Sequence, residues 1–347
     1  MAKLLKRLKN YVIITKTPLR ITFAGGGSDM ASYYMKHPAT CISATINKYV
    51  YVLVKKRFDD KIYLKYSENE VVDVRHIDDI QHDFIRETLK FMSVSYGVEI
   101  INWADIPTKG TGLGSSSSFL VGLLLALHTL EGRYISKEAL ATQACYIEIE
   151  KCGKPIGIQD QYAAAFGGFN RMEFGNSTSR GDYKNVSGFG FCDQEIRDIS
   201  DHLHLFYTGV TRESKDILTT QTENLISDHE VIENMHCNVE LANQLAEHLI
   251  IKDISVIPIT LRQNWELKKK FAGGISNPEL DRIYDVATTI GGAEAGKIIG
   301  AGGGGFFLFW AEDKKKLKES LADYQELPFI IDKYGSRIVI NLEGLSW

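Results

Sequence analysis

Residues 110–130 read Gly-Thr-Gly-Leu-Gly, then four serines from Ser115 to Ser118, then an almost unbroken apolar run to Leu130. This segment constrains the fold more than any other. Glycines disfavour helix and permit positive φ, so a helix here has to begin at the serines. Its residues are apolar nearly all round after the serines, so it has to be buried on most sides. The pattern predicts a helix over Ser115–Leu130 fed directly by a glycine turn. A helix N-terminus carries unpaired N–H groups and a partial positive charge, which makes it an anion site. One serine suffices for a cap, and this chain has four. Serine hydroxyls supply further donors, and one can ligate Mg²⁺ beside a phosphate.

Two more glycine clusters stand apart from this one: Gly25-Gly26-Gly27 after a predicted strand, and Gly300-Ala301-Gly302-Gly303-Gly304-Gly305 between predicted strands. Two look-alikes are rejected. Gly291 to Ile298 reads G-x-x-x-x-G-K, but Ile298 stands where a P-loop requires Ser or Thr. The third cluster fits G-x-G-x-x-G, but a strand follows it, and a dinucleotide fingerprint opens a helix.

Val12–Thr15 and Arg20–Phe23 are expected to be strands on either side of Pro18, and Tyr49–Val54 with Lys61–Tyr66 a hairpin. Ile77 to Tyr96 has helical spacing, with Gly97 as a stop. Ser136 is the expected N-cap of a helix ending near Cys152-Gly153. Asp216 to Ile250 reads as one long helical region without proline. Strands followed by helices without a βαβ rhythm predict an α+β chain in two lobes, residues 1–190 and 191–347.

The net charge of −4 argues against nucleic-acid binding. The basic cluster of Lys3, Lys6, Arg7 and Lys9 is short and terminal. The longest apolar stretch, Phe119–Leu127, is too short to span a bilayer, so no membrane role is expected. Five scattered cysteines and no signal-peptide pattern point to a cytoplasmic protein.

Several carboxylates could do chemistry. Glu148 and Glu150 are two apart on a predicted helix and point to different faces, so at most one faces the serine helix. Asp160 lies at the start of a short helix stopped by Gly167, where an ionised carboxylate is favoured; taken alone, an N-cap is the simpler reading. Asp29, beyond the first glycine cluster, could accept hydrogen bonds from sugar hydroxyls or close an Asx turn.

Taken together these segments resemble the GHMP kinase superfamily. Three motifs match in order: Thr17-Pro18-Leu19-Arg20-Ile21-Thr22-Phe23-Ala24-Gly25-Gly26-Gly27-Ser28-Asp29, then Gly110-Thr111-Gly112-Leu113-Gly114-Ser115-Ser116-Ser117, then Lys297-Ile298-Ile299-Gly300-Ala301-Gly302-Gly303-Gly304-Gly305. The resemblance covers about residues 12 to 345. Galactokinase carries Gly-Glu-His after its strand, and here Gly26-Gly27 stand in place of the Glu-His. With Ile46–Tyr51 and Gln159–Gly168, that form is similar to the D-glycero-D-manno-heptose 7-phosphate kinase group, with fucokinase domains the nearest rival.

The resemblance implies a two-lobed GHMP kinase fold: an N-terminal lobe like ribosomal protein S5 domain 2, and a ferredoxin-like C-terminal lobe with added helices. It also implies an ATP-dependent enzyme using Mg²⁺. The phosphate loop would be Gly110, Thr111, Gly112, Leu113, Gly114, Ser115, Ser116, Ser117 and Ser118. Ser116 and Glu148 would hold the metal, Asp160 would be the catalytic carboxylate, and Arg20 would sit near the transferred phosphate. Gly26, Gly27, Ser28 and Asp29 would face the sugar, and Gly302 to Gly304 would buttress the phosphate loop and the acceptor. The implied substrate is a small-molecule sugar phosphate. The implied reaction phosphorylates the anomeric hydroxyl of heptose 7-phosphate, giving the 1,7-bisphosphate for nucleotide-heptose and surface-polysaccharide synthesis. The alternatives are a kinase for an unphosphorylated sugar such as fucose, and a non-catalytic sensor of ATP and sugar. The substrate's own phosphate requires a cation, for which Arg171, Arg180, Lys154 and Arg212 are the candidates. The sequence leaves oligomeric state open.

Overall fold

The computed structural model describes residues 11–107, 110–177, 181–210 and 214–343. Its first strand, β1 (Tyr11–Ala24), runs unbroken through Pro18, where the sequence predicts two strands. Register shifts between Pro18 and Leu19 absorb the missing N–H donor. A one-turn helix, α1 (Ala31–Tyr34), leads into β2 (Ala39–Lys56), which pairs with β1 along its length.

The expected hairpin does not form. β3 (Lys61–Lys65) pairs antiparallel with β4 (Asn69–Asp73), and β5 (Val98–Ala104) lies between β2 and β3. The chain leaving β2 is drawn towards β5: the Arg57 N–H donates to the Gly97 carbonyl at 2.9 Å. The helix expected over Ile77–Tyr96 is also shorter. A 3₁₀ turn (Val74–Asp79) and α2 (Asp83–Phe91) are separated at Ile80. There the Glu70 carboxylate takes the N–H groups of Gln81 (2.7 Å) and His82 (3.3 Å), donors that a continuous helix would give to its own carbonyls.

The serine-headed helix is α3 (Ser115–Leu130), with the predicted bounds, packed on β1 and β2. Of its four serines only Ser116 is exposed. Gly122 permits close contact with the sheet, since the Thr15 hydroxyl donates to its carbonyl at 3.0 Å. Helix α4 (Lys137–Cys145) is capped by Ser136, which accepts the Ala139 N–H. It continues as a π-helical turn (Tyr146–Lys151), and α5 (Gln159–Phe166) stops at Gly167. β6 (Phe169–Ser177) and β7 (Gly181–Gly188) extend the sheet from the first half of β2.

The second lobe follows α6 (Asp193–His202) with β8 (Leu203–Tyr207). The long helical region divides into α7 (Ser214–Ser227) and α8 (His229–Ile250). The break falls at Asp228, whose side chain accepts the N–H groups of Glu230 and Val231. Pro278 opens α10 (Pro278–Thr289), and Pro258 sits in the first turn of α9 (Ile257–Lys268). After β9 (Ala295–Ile298) and β10 (Phe306–Trp310) come α11 (Lys314–Ser320) and β11 (Gln325–Leu327). The order β11-β8-β10-β9, all antiparallel, is the ferredoxin-like arrangement the resemblance implied.

The last strand, β12 (Arg337–Glu343), pairs with β1. A split at residue 190 would assign it to the second lobe, but its register places it on the edge of the first sheet. Helix α9 packs on both β9 and β1, so the lobes meet along β1. Among the described residues, no helix is long and apolar enough to cross a membrane.

Candidate active site

A cleft opens where β1, the head of α3, the π turn, α5, α9 and the third glycine cluster converge. The glycine loop lines it. Gly112 and Gly114 have φ of +74° and +78°, the left-handed region that glycine enters freely. No side chain caps α3, whose first internal hydrogen bond runs from the Ser118 N–H to the Gly114 carbonyl at 3.0 Å. The first-turn N–H groups are therefore left for a ligand.

The loop is braced from behind by the third glycine cluster, through different residues than expected. A Cβ on Gly300 would lie 2.4 Å from the Gly112 Cα, and one on Gly305 would lie 2.8 Å from the Thr111 carbonyl oxygen. Gly302 and Gly304 line the cleft but pack against Ile275 and Val210. Gly303 does not line it, and its N–H is spent on the Ile275 carbonyl. Within the loop, Gly110, Thr111, Gly112, Gly114, Ser115, Ser116 and Ser117 line the cleft. Leu113 and Ser118 do not: Leu113 is buried with its carbonyl on the Arg20 N–H, and the Ser118 hydroxyl donates to the Pro18 carbonyl.

Arg20 and Asp160 face each other at the loop's edge. Arg20 Nε donates to Asp160 Oδ1 and Nη2 to Oδ2, both at 2.7 Å, while Nη1 donates to the Gly112 carbonyl at 2.5 Å. Asp160 is the second residue of α5 and does not cap it, because Ile158 holds the N-cap position. The simpler N-cap reading thus fails on geometry.

Glu148 is buried and Glu150 exposed, which settles the choice between them. The π turn carries Glu148 inward, where Ser117 Oγ (2.8 Å) and Gln161 Nε2 (2.7 Å) both donate to its Oε2. Burial pushes its carboxyl up to about 7, and those two hydrogen bonds oppose the rise. Oε1 accepts no hydrogen bond among the described residues, and the exposed Ser116 shares the cleft. Both residues thus offer an oxygen donor to the cleft, and carboxylate and hydroxyl oxygens are the ligand types that suit a hard divalent cation.

Gly26, Gly27 and Asp29 line the far side of the cleft, whereas Ser28 is fully buried behind them. Asp29 Oδ1 accepts the Gly27 N–H (2.9 Å) and Gln159 Nε2 (3.1 Å); Oδ2 accepts the Gln159 N–H (3.0 Å). Burial raises its pKa. Asp29 thereby ties the first glycine cluster to the start of α5. Asn238 of α8 braces the same cluster, accepting from the Gly25 N–H and Asn264 Nδ2 and donating to the Gly26 carbonyl.

Of the four expected phosphate cations, the two that are described, Arg171 and Lys154, are not in the cleft. Arg171 pairs with Glu173 (2.9 Å) and Asn243 (3.1 Å), and Lys154 with Asp83 (2.7 Å); neither lines the cleft. Arg180, Arg212 and the basic cluster Lys3 to Lys9 lie outside the described residues. Among the described residues, the cations lining the cleft are Arg20 and two lysines that carried no role in the sequence reading, Lys268 and Lys297. Lys268 Nζ donates to the carbonyls of Ile298 (2.8 Å) and Gly300 (2.5 Å), and Lys297 Nζ to that of Phe23 (3.2 Å). Lys297 could have been noticed at the head of the third motif. Lys268 was hidden in the run Lys268-Lys269-Lys270, which reads as a solvated surface.

A family model described as GHMP kinases N terminal domain matches residues 81–168, and one described as GHMP kinases C terminal matches residues 245–326. The D-glycero-alpha-D-manno-heptose 7-phosphate kinase of Campylobacter jejuni is 32% identical over 331 residues, 92% of this chain and 95% of that one. The bifunctional fucokinase/GDP-fucose pyrophosphorylase of Arabidopsis thaliana is 26% identical over 69% of this chain and 22% of its own. Among solved structures, a D-glycero-D-manno-heptose 1-phosphate kinase from Bacteroides thetaiotaomicron matches with a TM-score of 0.78 and 26% identity, covering 94% of this chain and 99% of that one.

Proposed function

This chain belongs to the GHMP kinase family, and from that premise we propose that it transfers the terminal phosphoryl group of ATP to the anomeric hydroxyl of D-glycero-D-manno-heptose 7-phosphate. Heptose phosphate is the acceptor class named for the Campylobacter and Bacteroides relatives. Their names differ in the phosphate position, so the anomeric position rests on the match of Gly26-Gly27 and Gln159–Gly168 to the 7-phosphate group.

The observation that carries the reading is the Arg20–Asp160 pair at the edge of an uncapped glycine loop, in one cleft with Glu148 and Asp29. Loop N–H groups of the α3 head would bind the nucleotide's phosphates. Asp160, held in a fixed orientation by Arg20, would align the acceptor hydroxyl. An anomeric hydroxyl is more acidic than an ordinary alcohol, so orientation and charge stabilisation can supply most of the rate. Ser116 and Glu148 would hold Mg²⁺. That ion supplies neutralisation of the phosphate oxygens as charge shifts. Asp29, Gly26 and Gly27 would face the sugar.

A coupled assay of ATP turnover with heptose 7-phosphate, mannose, fucose and galactose tests the reading. Turnover with heptose 7-phosphate is expected. Turnover of a free sugar alone would overturn it in favour of the fucokinase-like alternative, and no turnover with any acceptor would favour a sensor.

A further inference from the structure

Lys268 and Lys297 are basic side chains in the cleft that no carboxylate of the described residues faces as a partner. Among the described residues neither forms an ion pair. The three carboxylates lining the cleft are spent elsewhere: Asp160 on Arg20, Asp29 on Gly27 and Gln159, Glu148 on Ser117 and Gln161. The two lysines thus form a basic corner in the same cleft as the Arg20–Asp160 pair.

An ammonium has three donors. Lys268 spends two on carbonyls and Lys297 spends one. Three N–H groups remain, enough for the three terminal oxygens of a phosphate monoester. The corner has a defined place. Lys268 ends α9, one turn after Asn264, and reaches Gly300 behind the glycine loop. Lys297 is 3% exposed and reaches the Phe23 carbonyl, two residues before the first glycine cluster.

We infer that Lys268 and Lys297 together form a phosphate subsite of the cleft, separate from the N–H groups of the glycine loop, which receives the phosphate already carried by the acceptor. The inference rests on the acceptor reading given above. It replaces Arg171 and Lys154, which are committed to other partners. The electrostatics agree. Burial pushes the Lys297 ammonium down to about 7, and Arg20 adds to the effect. Lys268, whose residue stays partly open to the cleft, is driven well below its usual range by the protein around its ammonium, then by Lys297 and Arg20. Such ammonium groups gain most from an arriving dianion, because its charge offsets both burial and mutual repulsion.

Two measurements test the subsite in the full chain, comparing wild type with Lys268→Met and Lys297→Met. The first is calorimetric titration with inorganic phosphate after MgADP has filled the loop. The second is steady-state kinetics with ATP and heptose 7-phosphate. Phosphate affinity should fall at least about tenfold in each variant, the size expected for one lost charge-assisted hydrogen bond. KM for the acceptor should rise by a similar factor while KM for ATP stays within about twofold. A rise in KM for ATP with the acceptor KM unmoved would overturn the acceptor assignment and give the lysines to the nucleotide's terminal phosphate. Phosphate binding that is absent in wild type, or unchanged in both variants, would overturn the subsite itself. Thermal unfolding checks that each variant is folded, and Lys268→Gln and Lys297→Gln replace any that is not. If wild type turns over no heptose phosphate, the acceptor reading fails, while the phosphate titration still decides the subsite.

Discussion

Arg20 grips Asp160 with two parallel hydrogen bonds of 2.7 Å each, and the same guanidinium holds the carbonyl of Gly112. One side chain therefore sets the distance between the Asp160 carboxylate and the glycine loop. A planar fork can do this, and a point charge such as lysine cannot.

Asp160→Asn should lower kcat about 10²- to 10⁴-fold. The amide keeps the size but loses the charge and one acceptor. Affinity for MgATP, measured by calorimetry, should change by no more than about threefold, because the loop N–H groups are untouched. Undiminished turnover would remove Asp160 from the mechanism.

Glu148 should give the metal-free protein an unusual pH dependence. Burial raises its pKa from an ordinary 4.5 to about 7. Between those values the folded chain keeps a proton that the unfolded chain has released. Its stability should therefore fall as pH rises through that window, by up to about 3 kcal/mol, and level off above it. Urea midpoints in EDTA would show the slope, and Glu148→Gln should flatten it. Mg²⁺ affinity should run the other way, tightening as pH rises through about 7.

Ser116 and Ser117 should separate by role. Ser116→Ala removes an exposed hydroxyl and should raise the Mg²⁺ concentration for half-maximal rate several-fold, with stability changed by less than about 0.5 kcal/mol. Ser117→Ala removes a donor to Glu148 Oε2, so it should lower stability by about 1 kcal/mol and move the metal dependence as well. Equal effects of the two changes would deny Ser116 the metal.

Asn238→Ala strips the brace from the first glycine cluster. It strands the Gly25 N–H and the Asn264 amide inside the protein, so a loss of about 2–4 kcal/mol is expected from denaturant unfolding. KM for the sugar should rise as well, since Gly26 and Gly27 lose their anchor. A variant of full stability would mean the cluster holds its shape unaided.

What the sequence made legible was governed by local rules. Helix α3 had the predicted bounds because glycine, serine and apolar residues change over at one point in the chain. Ser136 and Gly167 marked helix ends for the same reason. What it hid was decided at a distance. The hairpin failed because β5, from a later segment, took the edge of β2. The helix over residues 77–96 broke because Glu70, from β4, took two of its donors. In the site, Arg20, Glu148 and Asp160, which the resemblance grouped, line one cleft. The resemblance could not say that Ser28, Leu113 and Ser118 turn inward, or that Gly300 is the residue behind Gly112. Lys268 was invisible because neighbours in sequence disguised it as surface, and only the packing of α9 against β9 and β1 brings it inside.

The pairing of β12 with β1 has a consequence in time. During synthesis residue 11 emerges first and residue 343 more than three hundred residues later, yet the two sit opposite each other in the finished sheet. The strand that bears Arg20 must wait through nearly the whole of translation for its second neighbour, with one edge open. Pairing across so long a separation closes slowly. The gain is that no half-made chain should be able to turn over ATP. A nascent chain halted before residue 337 should remain open along β1, sensitive to protease and silent as an enzyme.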